Sequence, residues 1–139
     1  MTAGAEPVVV DTNILFSALL REDTAFSTEM FESPREFFIC ETTLMELFRH
    51  REKLIRLSRM NAPALVQMYH LLLKCLTVYK ENHIPDECWT RARELCAGLD
   101  PDDASQVAVA LALGGLLWTG DNVLKTGLRA RGFDRFFSF

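Results

Sequence analysis

Four short apolar runs constrain this chain more than any other feature in it. Residues 7–11 (PVVVD), 37–40 (FFIC), 76–79 (LTVY) and 116–120 (LLWTG) are rich in β-branched and aromatic side chains. Such residues favour strands, and the first run has the continuous apolar character of a parallel strand buried on both faces. The segments between them are long enough for helices. Strands alternating with helices imply an α/β fold, with a parallel sheet covered on both faces. A chain of 139 residues is expected to form one domain, over 1–139.

The helical segments are read as follows. Residues 13–20 are helical. The polar stretch REDTAFST, 21–28, reads as a loop or exposed turn. A helix starts near 42 and runs through TTLMELFRHREKLIRLSRM, with Leu44, Leu47, Phe48, Leu54, Ile55 and Leu57 near helical spacing. Asn61 and Pro63 restart the chain as a cap and a first-turn proline, and that helix reaches about 74. Pro85 and Asp86 open another helix that ends near 98. DPDDASQVAVALALGG is a helix with an acidic first turn and a glycine stop. NVLKTGLRA is the last helix, and FDRFFSF, 133–139, is a candidate edge strand.

Composition excludes several function classes. The chain is 49% hydrophobic and 24% charged, enough for a core without disulfides or metal staples. Its net charge of -4 does not suit a protein that coats nucleic acid by overall charge, so contact with nucleic acid needs local patches. Cys40, Cys75, Cys88 and Cys96 form no C-x-x-C pair, and the histidines are His50, His70 and His83. A zinc site is not expected. The thiols read as reduced and mostly core-filling, in a cytoplasmic protein. MTAGAEP has no Lys or Arg ahead of the apolar run and does not read as a secretory signal. The uncharged run 104–120 falls short of a membrane span and reads as a buried helix followed by a buried strand, with no membrane partner.

In parallel sheets ligands bind beyond the carboxyl ends of the strands. Asp11 ends the first strand and Asp121 follows the fourth. Each also has a purely local explanation. Asp11 suits a helix N-cap. A phosphatase nucleophile of the haloacid-dehalogenase type would want a second Asp at position 13, where Asn13 stands. Glu46 completes a capping-box pattern with Thr43. Asp100, Asp102 and Asp103 sit where a helix dipole favours acids. Asp103 shares a helix face with Val107, Ala110 and Leu111, which aims it inward. Asp121 suits a turn or an N-cap. Together, however, four acids from distant segments fall at one edge of the sheet. Two carboxylates about 4 Å apart repel by about 4 kcal/mol at an effective dielectric of about 20. A cation relieves that repulsion, and all-oxygen ligands suit Mg²⁺ or Mn²⁺.

These segments resemble the PIN-domain ribonucleases, which include the toxins of VapBC-type toxin–antitoxin pairs. The likeness rests on VVVDTNILFSALL, ETTLMELFRH, DPDDASQVAVALALGGLLWTGD and the Leu124 that follows. It spans nearly the whole chain. It implies a Rossmann-like three-layer α/β/α sandwich with a central parallel sheet, a single PIN domain over 1–139. It implies a metal-dependent endoribonuclease using Mg²⁺ or Mn²⁺, acting as a toxin held by an antitoxin protein, and a homodimer. By position, Asp11, Glu46, Asp103 and Asp121 become the catalytic, metal-binding quartet. Asp11 and Asp103 are the direct ligands. Glu46 binds metal or orients water, and Asp121 acts directly or through water. Thr12 and Thr119 are candidates for hydrogen bonds to the ligands, Asn13 and Asn122 for polar lining, and Asp100 for an accessory role. DPDDAS offers three acids where one is needed, and Asp103 is chosen by alignment of the alanine-rich helix.

Residues 49–59 carry Arg49, Arg51, Lys53, Arg56 and Arg59 against Glu52, and the tail carries Lys125, Arg129, Arg131 and Arg135 against Asp134. Either group is a solvated helix face or a phosphate-holding flank of the acidic edge. Arg49 and Arg51 are the RNA-binding candidates. The segment 62–74 is apolar around its circumference, as core or as a seam for a second copy or an antitoxin helix. The alternative to a nuclease is a non-catalytic RNA- or protein-binding module on the same fold.

Overall fold

The computed structural model describes residues 5–20 and 25–138. Four parallel strands form one sheet: β1 (Val8–Val10), β2 (Phe37–Cys40), β3 (Leu76–Tyr79) and β4 (Leu116–Trp118), in the order β3-β2-β1-β4. Val8 pairs with Phe37 on one side and Leu116 on the other, and Phe37 pairs with Leu76. The helices are α1 (Thr12–Leu20), α2 (Ala25–Glu32), α3 (Glu41–Arg49), α4 (Arg51–Leu57), α5 (Ala62–Cys75), α6 (Asp86–Leu95), α7 (Asp103–Leu113) and α8 (Asn122–Ala130). A 3₁₀ turn, Glu81–His83, follows β3.

Side chains alternate across a strand, so one buried strand serves two cores. Val8 and Val10 pack with Leu15, Leu19, Met30, Leu47, Leu65 and Leu72, from α1, α2, α3 and α5. Val9 packs on the other face with Leu95, Val107, Ala108, Leu124 and Leu128, from α6, α7 and α8. All three valines are wholly buried. This is the expected three-layer sandwich. The run 104–120 divides into α7, a Gly114–Gly115 corner and β4. Gly114 ends α7 in the left-handed region at φ 61°, and a Cβ on Gly115 would stand 2.5 Å from the Pro7 carbonyl oxygen. Among the described residues no helix is long and apolar enough to cross a membrane.

Three expectations change. Of the stretch read as a loop at 21–28, residues 21–24 lie outside the described residues, and 25–28 open α2. Its anchors are Met30, which is buried, and Phe26, whose ring lies 5.9 Å from that of Trp118. Two anchors one turn apart hold a short helix that its polar letters conceal. The single helix expected from 42 breaks at His50 (φ -101°, ψ 13°). There the Arg51 guanidinium donates to the Phe48 carbonyl at 2.8 Å, and a side chain entering the carbonyl ladder bends a helix. The tail at 133–138 makes one parallel bridge, Phe136 with Leu117, rather than an extended edge strand; residue 139 lies outside the described residues. Asn61 caps α5 as expected, its Oδ1 accepting from the Ala64 amide at 2.9 Å.

Candidate active site

β1 delivers Asp11 to the carboxyl edge of the sheet, where it is 6% exposed. Its Oδ2 accepts a 2.6 Å hydrogen bond from Thr119 Oγ1, just past the end of β4. Thr119 is itself buried, and its hydroxyl oxygen accepts from the Asp121 amide at 3.1 Å. One threonine thus connects the segments that carry the first and last acids. Thr12 donates to Thr43 Oγ1 at 3.2 Å, tying α1 to α3. Thr43 lies inside α3, which has Cys40 at its N-cap and no side-chain cap bond. The capping-box explanation of Glu46 therefore does not hold.

A cavity of about 300 Å³ opens at this edge. Asp11, Thr12, Asn13, Glu46, Arg49, Asp100, Asp102 and Asp103 line it, together with Cys40, Thr42, Thr43, His50, Ser105 and Gln106. Five carboxylates face one guanidinium in that lining. Asp103 begins α7 half-buried, as the helix face predicted. Its Oδ1 accepts from Gln106 Nε2 at 2.8 Å. Burial first, and then the charges of Asp11 and Asp100, push its carboxyl up to about 7. Cys40 forms part of the floor and is 1% exposed. Burial and the surrounding carboxylates, Glu81 foremost, hold its thiol protonated by raising its pKa far above the usual range. Glu81 accepts from Thr42 Oγ1 at 2.7 Å, and Glu41 accepts from the Glu81 amide at 2.6 Å, fixing the β2–β3 rim.

Asp121 stands apart from this cavity. Its Oδ1 accepts from the Val123 and Leu124 amides at 3.0 and 3.1 Å, the N-cap of α8. It lines a neighbouring cavity with Asp100 and Asp103, close enough for its charge to add to the rise at Asp103. Asn122 is exposed and lines neither. Arg49 reaches the main cavity, whereas Arg51 is turned onto Phe48. The tail cations are engaged structurally: Arg129 with Asp134 at 2.7 Å, Arg135 with Glu6 at 2.7 Å, and Arg131 with the Leu95 carbonyl at 2.7 Å.

Among the described residues no group of three or more His, Cys, Asp or Glu side chains, as they stand, is assembled to hold a metal ion. The donor chemistry nevertheless fits a hard divalent cation. Carboxylate oxygens dominate the lining, and burial first, then the neighbouring charges, disfavours ionisation of the Asp103 carboxyl. Sequence reasoning did not single out Gln106, Thr43, Ser105, His50 or Cys40 as site residues. Spacing along the chain carries no signal for them, because they arrive through the packing of α3 and α7 on the sheet edge.

The PIN-domain family model matches residues 9–136. Among solved structures, the chain is similar to PAE2754 from Pyrobaculum aerophilum, with 24% identity, 88% of this chain and 80% of that one covered, and a TM-score of 0.62. It is also similar to a chain in the structure of VapBC2 from Rickettsia felis bound to a DNA fragment from their promoter. That match has 17% identity, covers 86% of this chain and 92% of that one, and has a TM-score of 0.63. At these identities the likeness is one of fold. No curated protein matches the sequence.

Proposed function

This chain belongs to the PIN-domain family, a family of nucleases, and from that premise we propose that it is a divalent-metal-dependent endoribonuclease. The observation that carries the proposal is the cavity at the carboxyl edge, where Asp11, Glu46 and Asp103 converge from three separate segments. A fold needs no such convergence. Removing Asp103's proton costs free energy as long as nothing neutralises its neighbours.

Asp11 and Asp103 would hold Mg²⁺ or Mn²⁺, with Glu46 and Asp121 contributing directly or through water. The chemistry that such an ion supplies when bound is a more acidic water and charge stabilisation at a phosphodiester. The chain's own residues do the positioning. Thr119 orients Asp11 through its 2.6 Å bond, and Gln106 orients Asp103. Arg49, on the cavity wall, would hold a phosphate next to the reacting one.

The proposed role is that of a toxin in a toxin–antitoxin pair, with an antitoxin protein and a second copy of the chain as partners. Apolar groups left exposed on α3, α4 and α5 support a covering partner: Met45, Phe48, Leu57 and Val66 are each more than half exposed. Light scattering that finds only monomer at micromolar concentration would remove the homodimer.

The test is cleavage of a mixed RNA pool with Mn²⁺, beside an EDTA control and Asp11→Asn. The expected result is cutting that both controls abolish. Cutting that survives in Asp11→Asn would overturn the assigned site. If RNA is bound but never cut, the chain is a binding module on a nuclease fold.

A further inference from the structure

A third cavity, of about 480 Å³, lies beside the acidic one, between α6 and the turn that leads into α7. That volume is in the range of small-molecule sites. Its apolar lining includes Trp89, Leu99, Pro101 and Ala104, and its polar groups include Arg93 and Ser105. The Arg93 guanidinium carbon lies 5.3 Å from the centre of the Trp89 ring. Its helix neighbour Arg91 is held by Glu94 at 3.4 Å and by the Arg131 carbonyl at 3.1 Å. Among the described residues Arg93 has no such carboxylate partner. Trp89 packs one side against the core, and Arg93 stacks on its ring.

Position decides what the cavity suits. Ser105 lines both this cavity and the acidic one, and Leu99 also lines the cavity that holds Asp100, Asp103 and Asp121. A strand that leaves the acidic cavity past Ser105 would enter the cavity that Ser105 shares with Trp89. Five carboxylates against Arg49 make the acidic cavity repel phosphates on balance, so affinity for a polyanion needs further contacts on its flanks. A flat π-surface beside a cation is the combination that binds unpaired bases without regard to sequence: the ring stacks, and the guanidinium meets a phosphate or stacks in turn.

Resting on the ribonuclease reading above, we propose that the Trp89–Arg93 cavity is a nucleobase subsite, which holds one unpaired base of the RNA strand next to the cleavage position. It makes Trp89 and Arg93 positioning residues. They set where the strand lies and touch none of the reacting atoms.

The chain has two tryptophans, and the other, Trp118, is 3% exposed. Quenching of intrinsic fluorescence therefore reports on Trp89. The probe is a short oligo(A) ribonucleotide in EDTA, unlabelled for tryptophan quenching and fluorescein-labelled for anisotropy. Expected are saturable quenching in the wild type, its loss in Trp89→Phe with nearly unchanged affinity, and about tenfold weaker binding in Trp89→Ala. Arg93→Gln, on the exposed side of α6, guards against a folding defect in Trp89→Ala and should weaken binding several-fold.

Oligo(A) that binds by anisotropy with no quenching, and with equal affinity in Trp89→Ala and Arg93→Gln, overturns the subsite. Quenching by an apolar helical peptide but not by RNA also overturns it and assigns the cavity to a protein partner. Metal-dependent cleavage of RNA without quenching removes the subsite and leaves the nuclease reading intact. Quenching without cleavage supports base binding in this cavity but overturns its place next to a cleavage position. Neither quenching nor cleavage removes both.

Discussion

At Asp103 a carboxylate is half-buried beside Asp11 and Asp100, and its pKa rises from 3.8 to about 7. In the unfolded chain the same group titrates near its ordinary value. Between about pH 4 and pH 7 the folded state keeps a proton that the unfolded state has released. Stability therefore falls as pH rises through this window and levels off above it. Asp103→Asn removes the charge and keeps an oxygen for Gln106 Nε2. In EDTA the variant should melt above the wild type at pH 8, with the gap closing towards pH 4. Halved for solvent screening at this partly exposed site, the gap corresponds to about 2 kcal/mol, or a few degrees. Melting curves at the two pH values check it. A gap that is equal at both would show that ionisation of Asp103 is not its source.

α8 begins at a residue with two claims on it. Asp121 Oδ1 satisfies the Val123 and Leu124 amides, and its carboxylate also faces the cavity shared with Asp100 and Asp103. Losing the cap in Asp121→Ala should cost about 1 kcal/mol of stability. Asp121→Asn retains a capping oxygen, so its melting temperature should match the wild type. If the carboxylate also serves the site, Asp121→Asn should still cleave RNA about tenfold more slowly or worse. Unaltered cleavage in Asp121→Asn would reduce the residue to a cap. This double duty also shows how far the sequence could be read. The strands were legible because short β-branched runs such as Val8–Val10 admit few other fates. Asp11 and Asp121 were legible as edge residues because Asp11 directly follows β1 and Asp121 lies in the turn just after β4. α2 was not, since Phe26 and Met30, which anchor it, pack across the fold. The break at His50 and the places of Gln106, Thr43 and Trp89 depend on how helices sit against one another. One chain without its packing carries no record of that.

In the whole molecule, the elements that form the core also create the charge problem at its edge. A parallel sheet buried on both faces sends the chain out at its carboxyl ends: β1 releases Asp11 there, β2 leads into α3 with Glu46, and the turn before α7 brings Asp100, Asp102 and Asp103 to the same edge. Five carboxylates and one arginine then share a cavity of about 300 Å³. A divalent cation that binds only the folded arrangement stabilises it by mass action, by about 1.4 kcal/mol at ten times its dissociation constant. For a domain of this size that is a rise of a few degrees in melting temperature. The cation competes with the proton on Asp103. With that carboxyl at about 7, the rise should be near its full size at pH 8 and should shrink at pH 5.5, where the site must first lose a proton. Because Asp103 contributes more stability to the metal-free protein at the lower pH, the two effects have opposite signs. Calorimetry at matched ionic strength, with Mn²⁺ against Ca²⁺-free EDTA buffer, separates them. Asp11→Asn should abolish the rise at both pH values. A rise of equal size at pH 5.5 and pH 8, or one that persists in Asp11→Asn, would place the bound cation away from this cavity and detach the acidic edge from the proposed chemistry.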